Sequence, residues 1–147
     1  MPKKAQPTLE HIQDGLSNTI LLIESAGRPQ IYRCGREFSS PPNTRTLGAA
    51  WASPQSDLSL IGSTKDGETV PGPFAINRTN GEPAGSVYPH PQYGTDGTGQ
   101  IYSFHSGCAN SVFADGSVHT LNEDVDIRVL ARFVTRAGNE IIDPIPE

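Results

Sequence analysis

An α+β fold is predicted: a β-rich single domain over residues 1–147, with an antiparallel sheet around an Asp-Gly hairpin, a C-terminal amphipathic helix packed on one face, and many loops. Three observations predict it. Asp115-Gly116 sits between alternating apolar runs, the strongest short-range hairpin signal, because a tight turn needs left-handed backbone that Asp and Gly tolerate. From Asp124 onward the apolar residues recur at the helical period. Finally, 15 glycines and 13 prolines stand against a hydrophobic content of 35%, which assigns much of the chain to turns and irregular connections. The 147 residues suffice for one domain with its own core.

The elements follow in order. Residues 1–7 and 143–147 are expected to be frayed, and residues 8–14 to form a short helical turn. Thr19 to Glu24 is an apolar run short enough for a buried strand, but its period does not separate strand from helix segment. Gln30 to Cys34 alternates and reads as a strand, so this region forms either a strand pair or a helix-to-strand corner. Residues 37–98 are dominated by turn chemistry, with short candidate strands at 49–52 and 74–77 and a long loop from Asn80 to Gly99. From Gln100 a strand, a break at Ser106-Gly107, and two strands joined by Asp115-Gly116 are predicted. A two-residue loop would place Phe113 opposite Val118, Val112 opposite His119 and Asn110 opposite Leu121, leaving neither face plainly to solvent. The helix over 125–137, with Ile127, Val129, Leu130, Ala131, Phe133, Val134 and Ala137 on one arc, is expected to cover that ribbon.

Charge and motifs restrict function. The net charge is −5 with no basic stripe, which disfavours nucleic acid. There is no apolar run long enough to cross a membrane and no charged-then-apolar leader. His105, Asp115 and His119 are imaginable as metal ligands, but Asp115 is the residue the turn itself demands, and a lone strand histidine is usually structural; no metal and no cofactor are expected. Cys108 lacks the setting of a catalytic thiolate, Ser17 and Ser106 lie in no nucleophile elbow, and Asp96 stands alone where calcium needs several oxygens. Asn77-Arg78-Thr79 fits the N-glycosylation pattern, which is common by chance. Cys34 and Cys108 have no metal-ligand spacing and read either as two buried thiols or as one disulfide. The chain is expected not to be an enzyme.

FHSGCANSVFADGSVHTL places nine residues between His105 and Asp115-Gly116. It resembles the signature of the prepilin-type processing-associated H-x9-DG proteins, the planctomycete domain-of-unknown-function 1559 family that also carries a solute-binding label. DGLSNTILLIESAGRP, the segment PFAIN and the run from Asp126 to Gly138 and Glu140 resemble further blocks of that family in the same order, covering the chain from Asp14 to about Ile142. The resemblance implies a pilin or pseudopilin relative whose full-length members begin with a prepilin leader and an apolar anchor helix, so the chain is expected to be the C-terminal half of such a protein. It implies a cell-envelope or extracellular location and a structural role for His105, Asp115 and Gly116. Where the family carries Gly or Ala near positions 34 and 108 this chain has cysteine at both, which suggests a Cys34–Cys108 pair. The leading expectation is a non-enzymatic subunit acting by assembly or surface presentation, with itself or with pilin-like secretion machinery as protein partner. A solute- or glycan-binding module using the 78–99 loop, with Trp51, Tyr88 or Tyr93 at a pocket wall, is the alternative; a metal-dependent hydrolase centred on His105 is a distant third.

Overall fold

The computed structural model describes residues 8–37, 58, 60–81 and 100–138. The ends expected to fray, the candidate strand at 49–52 and positions 82–99 lie outside the described residues. The sheet is built from β1 (Ile20–Ile23), β4 (Cys108–Phe113) and β5 (Val118–Asn122) in the order β1-β4-β5, all antiparallel. A separate two-stranded ribbon pairs β2 (Tyr32–Arg33) with β3 (Arg36–Glu37). One helix, α1 (Ile127–Val134), follows the sheet. Among the described residues, antiparallel strands, one α-helix and many loops make the mixed, β-rich α+β architecture that the sequence predicts.

The ambiguous run after Thr19 resolves as β1, and tertiary pairing with β4 decides it, because a six-residue apolar run has no period of its own. The expected strand at 30–34 is shorter and turns at once. Cys34 (φ 46) and Gly35 (φ 80) both take left-handed backbone, the geometry of a two-residue hairpin turn. Residues 74–77 form isolated bridges, Phe74 to Ser63 and Asp126 and Ile76 to Ile101, rather than a strand.

The hairpin exists, but its register differs by one from the expectation. Phe113 N–H donates to Ser117 O and Gly116 N–H to Phe113 O, so the loop is Ala114-Asp115-Gly116 and only Gly116 (φ 87) is left-handed. Val112 therefore faces Val118 and Asn110 faces Thr120. A one-residue slip exchanges neighbours on both faces. Ala109, Ser111 and Phe113 point inward with Leu121, whereas Asn110, Thr120 and Asn122 face outward, so one face is plainly solvated, contrary to the expectation.

The helix is shorter than 125–137, and both ends have a cause. Asp126 is the N-cap, its carboxylate accepting from Arg128 N–H at 2.7 Å. At the other end Thr135 is extended, and Arg136 O accepts from the N–H groups of Gln13 and Asp14 while Asp14 Oδ2 accepts from Gly138 N–H at 2.7 Å. The N-terminal segment takes these C-terminal groups and ends the helix. Leu130 and Phe133 are buried, Phe133 edge-on to Phe113 at 5.7 Å, and Val134 lies outside the covered arc. Leu130 joins Ala75, Ile76, Ile101, Ala109 and Leu121 in the core.

Two glycines separate backbone strain from crowding. A Cβ on Gly116 meets nothing within 4 Å, whereas one on Gly62 (φ 69) falls 2.2 Å from Gly72 O. Gly116→Ala should cost about 1 kcal/mol through backbone conformation alone, and Gly62→Ala several times more, as read from denaturant midpoints. Equal losses at the two sites would contradict this packing.

Candidate functional site

The site is built around residues 75–81, all of them buried although almost none lies in regular sheet. Asn77 (φ 58), left-handed as asparagine tolerates, turns its side chain into the 102–108 segment. Its Oδ1 accepts from Ser103 N–H at 2.7 Å, and its Nδ2 donates to Cys108 O at 2.9 Å and His105 O at 3.3 Å. Asn80 does the same for the 26–32 segment: Oδ1 accepts from Tyr32 N–H at 2.8 Å and Nδ2 donates to Ala26 O and Gln30 O. Two carboxamides thus satisfy loop backbone that would otherwise be unpaired.

Between the 102–107 segment and the turn at Cys34-Gly35 opens a cleft of about 460 Å³. One wall is the turn at Cys34-Gly35, the floor includes Asn77, Arg78 and Tyr102, and the opposite wall is Phe104 to Gly107 with Glu123. Arg78, its side chain only 8% exposed, is held by Glu123 at 3.2 Å and Asp124 at 2.6 Å, with Lys65 a further 3.7 Å from Asp124. Tyr102 OH accepts from Gly35 N–H at 2.8 Å, and burial is the main cause holding its phenol above the ordinary value. Tyr32, Tyr102 and Phe104 pack ring to ring, Phe104 edge-on to Tyr32 at 5.0 Å and to Tyr102 at 5.9 Å, yet Phe104 remains 62% exposed.

His105 stands at the mouth of this cleft, its Nε2 3.3 Å from Glu24 Oε1. Glu24 also accepts from Asn110 N–H and Nδ2. Asp115 lies beyond the far end of β4, where its carboxylate accepts from Ser117 N–H at 2.9 Å and Ser117 Oγ at 2.6 Å. Ser117 Oγ is also 2.9 Å from His119 Nε2. Because that hydroxyl gives its proton to Asp115, the Asp-Ser-His series does not form a nucleophile with its base. A six-residue strand, about 20 Å long, separates His105 from Asp115, so the imagined His105/Asp115/His119 ligand set is not brought together. Among the described residues no group of three or more His, Cys, Asp and Glu side chains is placed to hold a metal.

The expected Cys34–Cys108 disulfide is not formed; both are free thiols. Cys34 sits in its hairpin turn with Sγ toward Lys65 O and Arg78 O, while Cys108 is paired with Asn122 at the start of β4. Asn77, the acceptor of the glycosylation pattern, is buried and fully hydrogen-bonded, which removes it as a surface acceptor in the folded chain. Trp51, Tyr88 and Tyr93 lie outside the described residues, as does all but the beginning of the 78–99 loop. The aromatic lining of the cleft comes instead from Phe104 and Tyr102, which lie in the strand predicted from Gln100. The available signal was an aromatic next to a histidine and a Ser-Gly break.

A family model, SBP_bac_10, described as a protein of unknown function (DUF1559), matches residues 2–128. No curated protein and no solved structure matches the chain.

Two substitutions test the polar framework. Asn77→Asp turns a carboxylate toward two backbone carbonyls, which should cost on the order of 1–3 kcal/mol at neutral pH. The neutral acid still donates, so the folded-state pKa is raised and the deficit should grow as pH rises above about 4, as read by Tm against pH; a pH-independent deficit would contradict it. Asp115 is the opposite case, its pKa lowered chiefly by the Ser117 hydroxyl and then by Ser117 N–H. Its contribution is present above the unfolded value of about 3.9 and lost as pH falls through the folded one, so Asp115→Asn should flatten the acid limb of the Tm profile.

Proposed function

The chain belongs to the DUF1559 family, a family of unknown function with a solute-binding-like label, and we propose that within it this domain is a non-enzymatic envelope or extracellular subunit of pseudopilin type, acting by assembly or surface presentation. One observation carries the proposal. Leu22 on β1, Val112 on β4 and Val118 on β5 lie side by side across the sheet, with Leu22 65% and Val118 67% exposed and Leu21 beside them 58% exposed. Among the described strands, β1 and β5 are the outer two of that sheet. An uncovered apolar row spanning a whole sheet is what an association surface requires and what an isolated soluble domain usually avoids. The occupant proposed is a second copy of this domain, since an apolar row that spans all three strands can pack on its own symmetry mate.

The envelope location is part of the same proposal, supported by the solute-binding-like family label. The non-enzymatic reading is supported by the ion pairing of the cleft, where Arg78 is neutralised by Glu123 and Asp124.

The test is sedimentation of the parent and of a Leu22→Lys/Val118→Lys double variant over a wide concentration range. The parent should associate and the variant remain monomeric, with both melting alike because the exchanged side chains are exposed. A parent that stays monomeric at the highest concentration, or a variant that associates equally, would remove the proposal.

A further inference from the structure

The cleft offers a second surface, independent of the apolar row. We propose that it binds a neutral sugar ring, stacked on Phe104 and hydrogen-bonded by Glu123 and by the polar groups of the 105–107 loop. Phe104 is a large apolar side chain left 62% exposed, yet edge-on contacts to Tyr32 and Tyr102 hold it in place. A ring fixed in this way binds with little loss of rotamer freedom, and its exposed surface suits the apolar C–H face of a sugar. Around it are acceptors and donors with spare capacity. Glu123 reaches Arg78 through Oε1, leaving Oε2 as an acceptor. The exposed Ser106 hydroxyl has no hydrogen-bond partner among the described residues. At about 460 Å³ the cleft lies within the range of small-molecule sites.

Other ligand classes fit less well. An anion would need a free cation, but both terminal nitrogens of Arg78 are taken by carboxylates. Among the ion-paired groups at the cleft, the acidic Glu24, Glu123 and Asp124 outnumber the basic Arg78 and Lys65. A quaternary ammonium needs an open aromatic cage, whereas centroid separations of 5.0–6.1 Å put these three rings in direct contact with no gap between them. A purely apolar ligand would strand the Ser106 hydroxyl and the second carboxylate oxygen of Glu123.

The test is a titration of the full chain followed by amide NMR shifts, using maltotriose, cellotriose, mannotriose and xylotriose, with galacturonate and choline as charged counterparts. At least one trisaccharide should shift amides at 34–35 and 102–107 at millimolar concentration. Phe104→Ala should weaken that binding about tenfold while keeping the parent spectrum elsewhere, and Phe104→Tyr should restore it. The Leu22→Lys/Val118→Lys variant should titrate like the parent, so loss of assembly and loss of sugar binding are distinguishable. No shift with any trisaccharide, undiminished binding by Phe104→Ala, or tighter binding of galacturonate or choline would overturn the proposal.

Discussion

Buried backbone without a sheet to pair it is the constraint on which this structure depends. Residues 75–81 are buried in an unbroken run, and most of their neighbours are loops. A buried unpaired N–H or C=O costs as much as a lost hydrogen bond, so each group here needs a partner from outside the ladders. The main chain of Ile101, Tyr32 and Cys34 pairs with this run, and the side chains of Asn77 and Asn80 supply partners to the loops around it, because a carboxamide carries two donors and an acceptor and imitates a peptide group. A chain only 35% hydrophobic is thereby held by side-chain amides where others use more strand.

The same logic joins segments distant in sequence. Ala114 N–H donates to Thr19 O and Asp115 N–H to Leu16 O, so the hairpin tip is docked on the segment that leads into β1. Asp14 in that segment accepts from Gly138 N–H and from Thr135 Oγ1 at the end of the helix. The Glu24–His105 contact closes the other end of β1. That pair is exposed enough to contribute little stability. Its consequence is positional: it fixes the 105–107 loop beside the cleft.

The hairpin and the helical face were legible because each is a local periodic signal; Leu130 and Phe133 lie where the period puts them. The register was not, because Asp-Gly also serves a three-residue loop in which only the glycine is left-handed, and the sequence does not distinguish the two. The turn at Cys34-Gly35 was hidden for the opposite reason, cysteine being an uncommon left-handed residue. The cleft was illegible as a unit, since its walls come from positions 34–35, 77–78, 102–107 and 123, and no short-range pattern links them. Asn77 read as the end of a candidate strand and Asn80 as loop composition, though burial makes them the framework.

The two surfaces occupy opposite ends of one strand. β4 leaves the cleft loop at Cys108 and reaches the apolar row at Val112, a separation of about 13 Å along the strand. β4 is also the middle strand, paired on both sides, so it is the stiffest element available to hold the two apart. A subunit packed through Leu22, Val112 and Val118 would leave the Phe104 edge of the domain uncovered. The two proposed activities are therefore compatible in one molecule: assembly at the turn end of the sheet would leave the cleft at the other end open. Polar stapling makes that division possible, because loops tied by Asn77 and Asn80 keep an aromatic ring in a fixed position without burying it in the core.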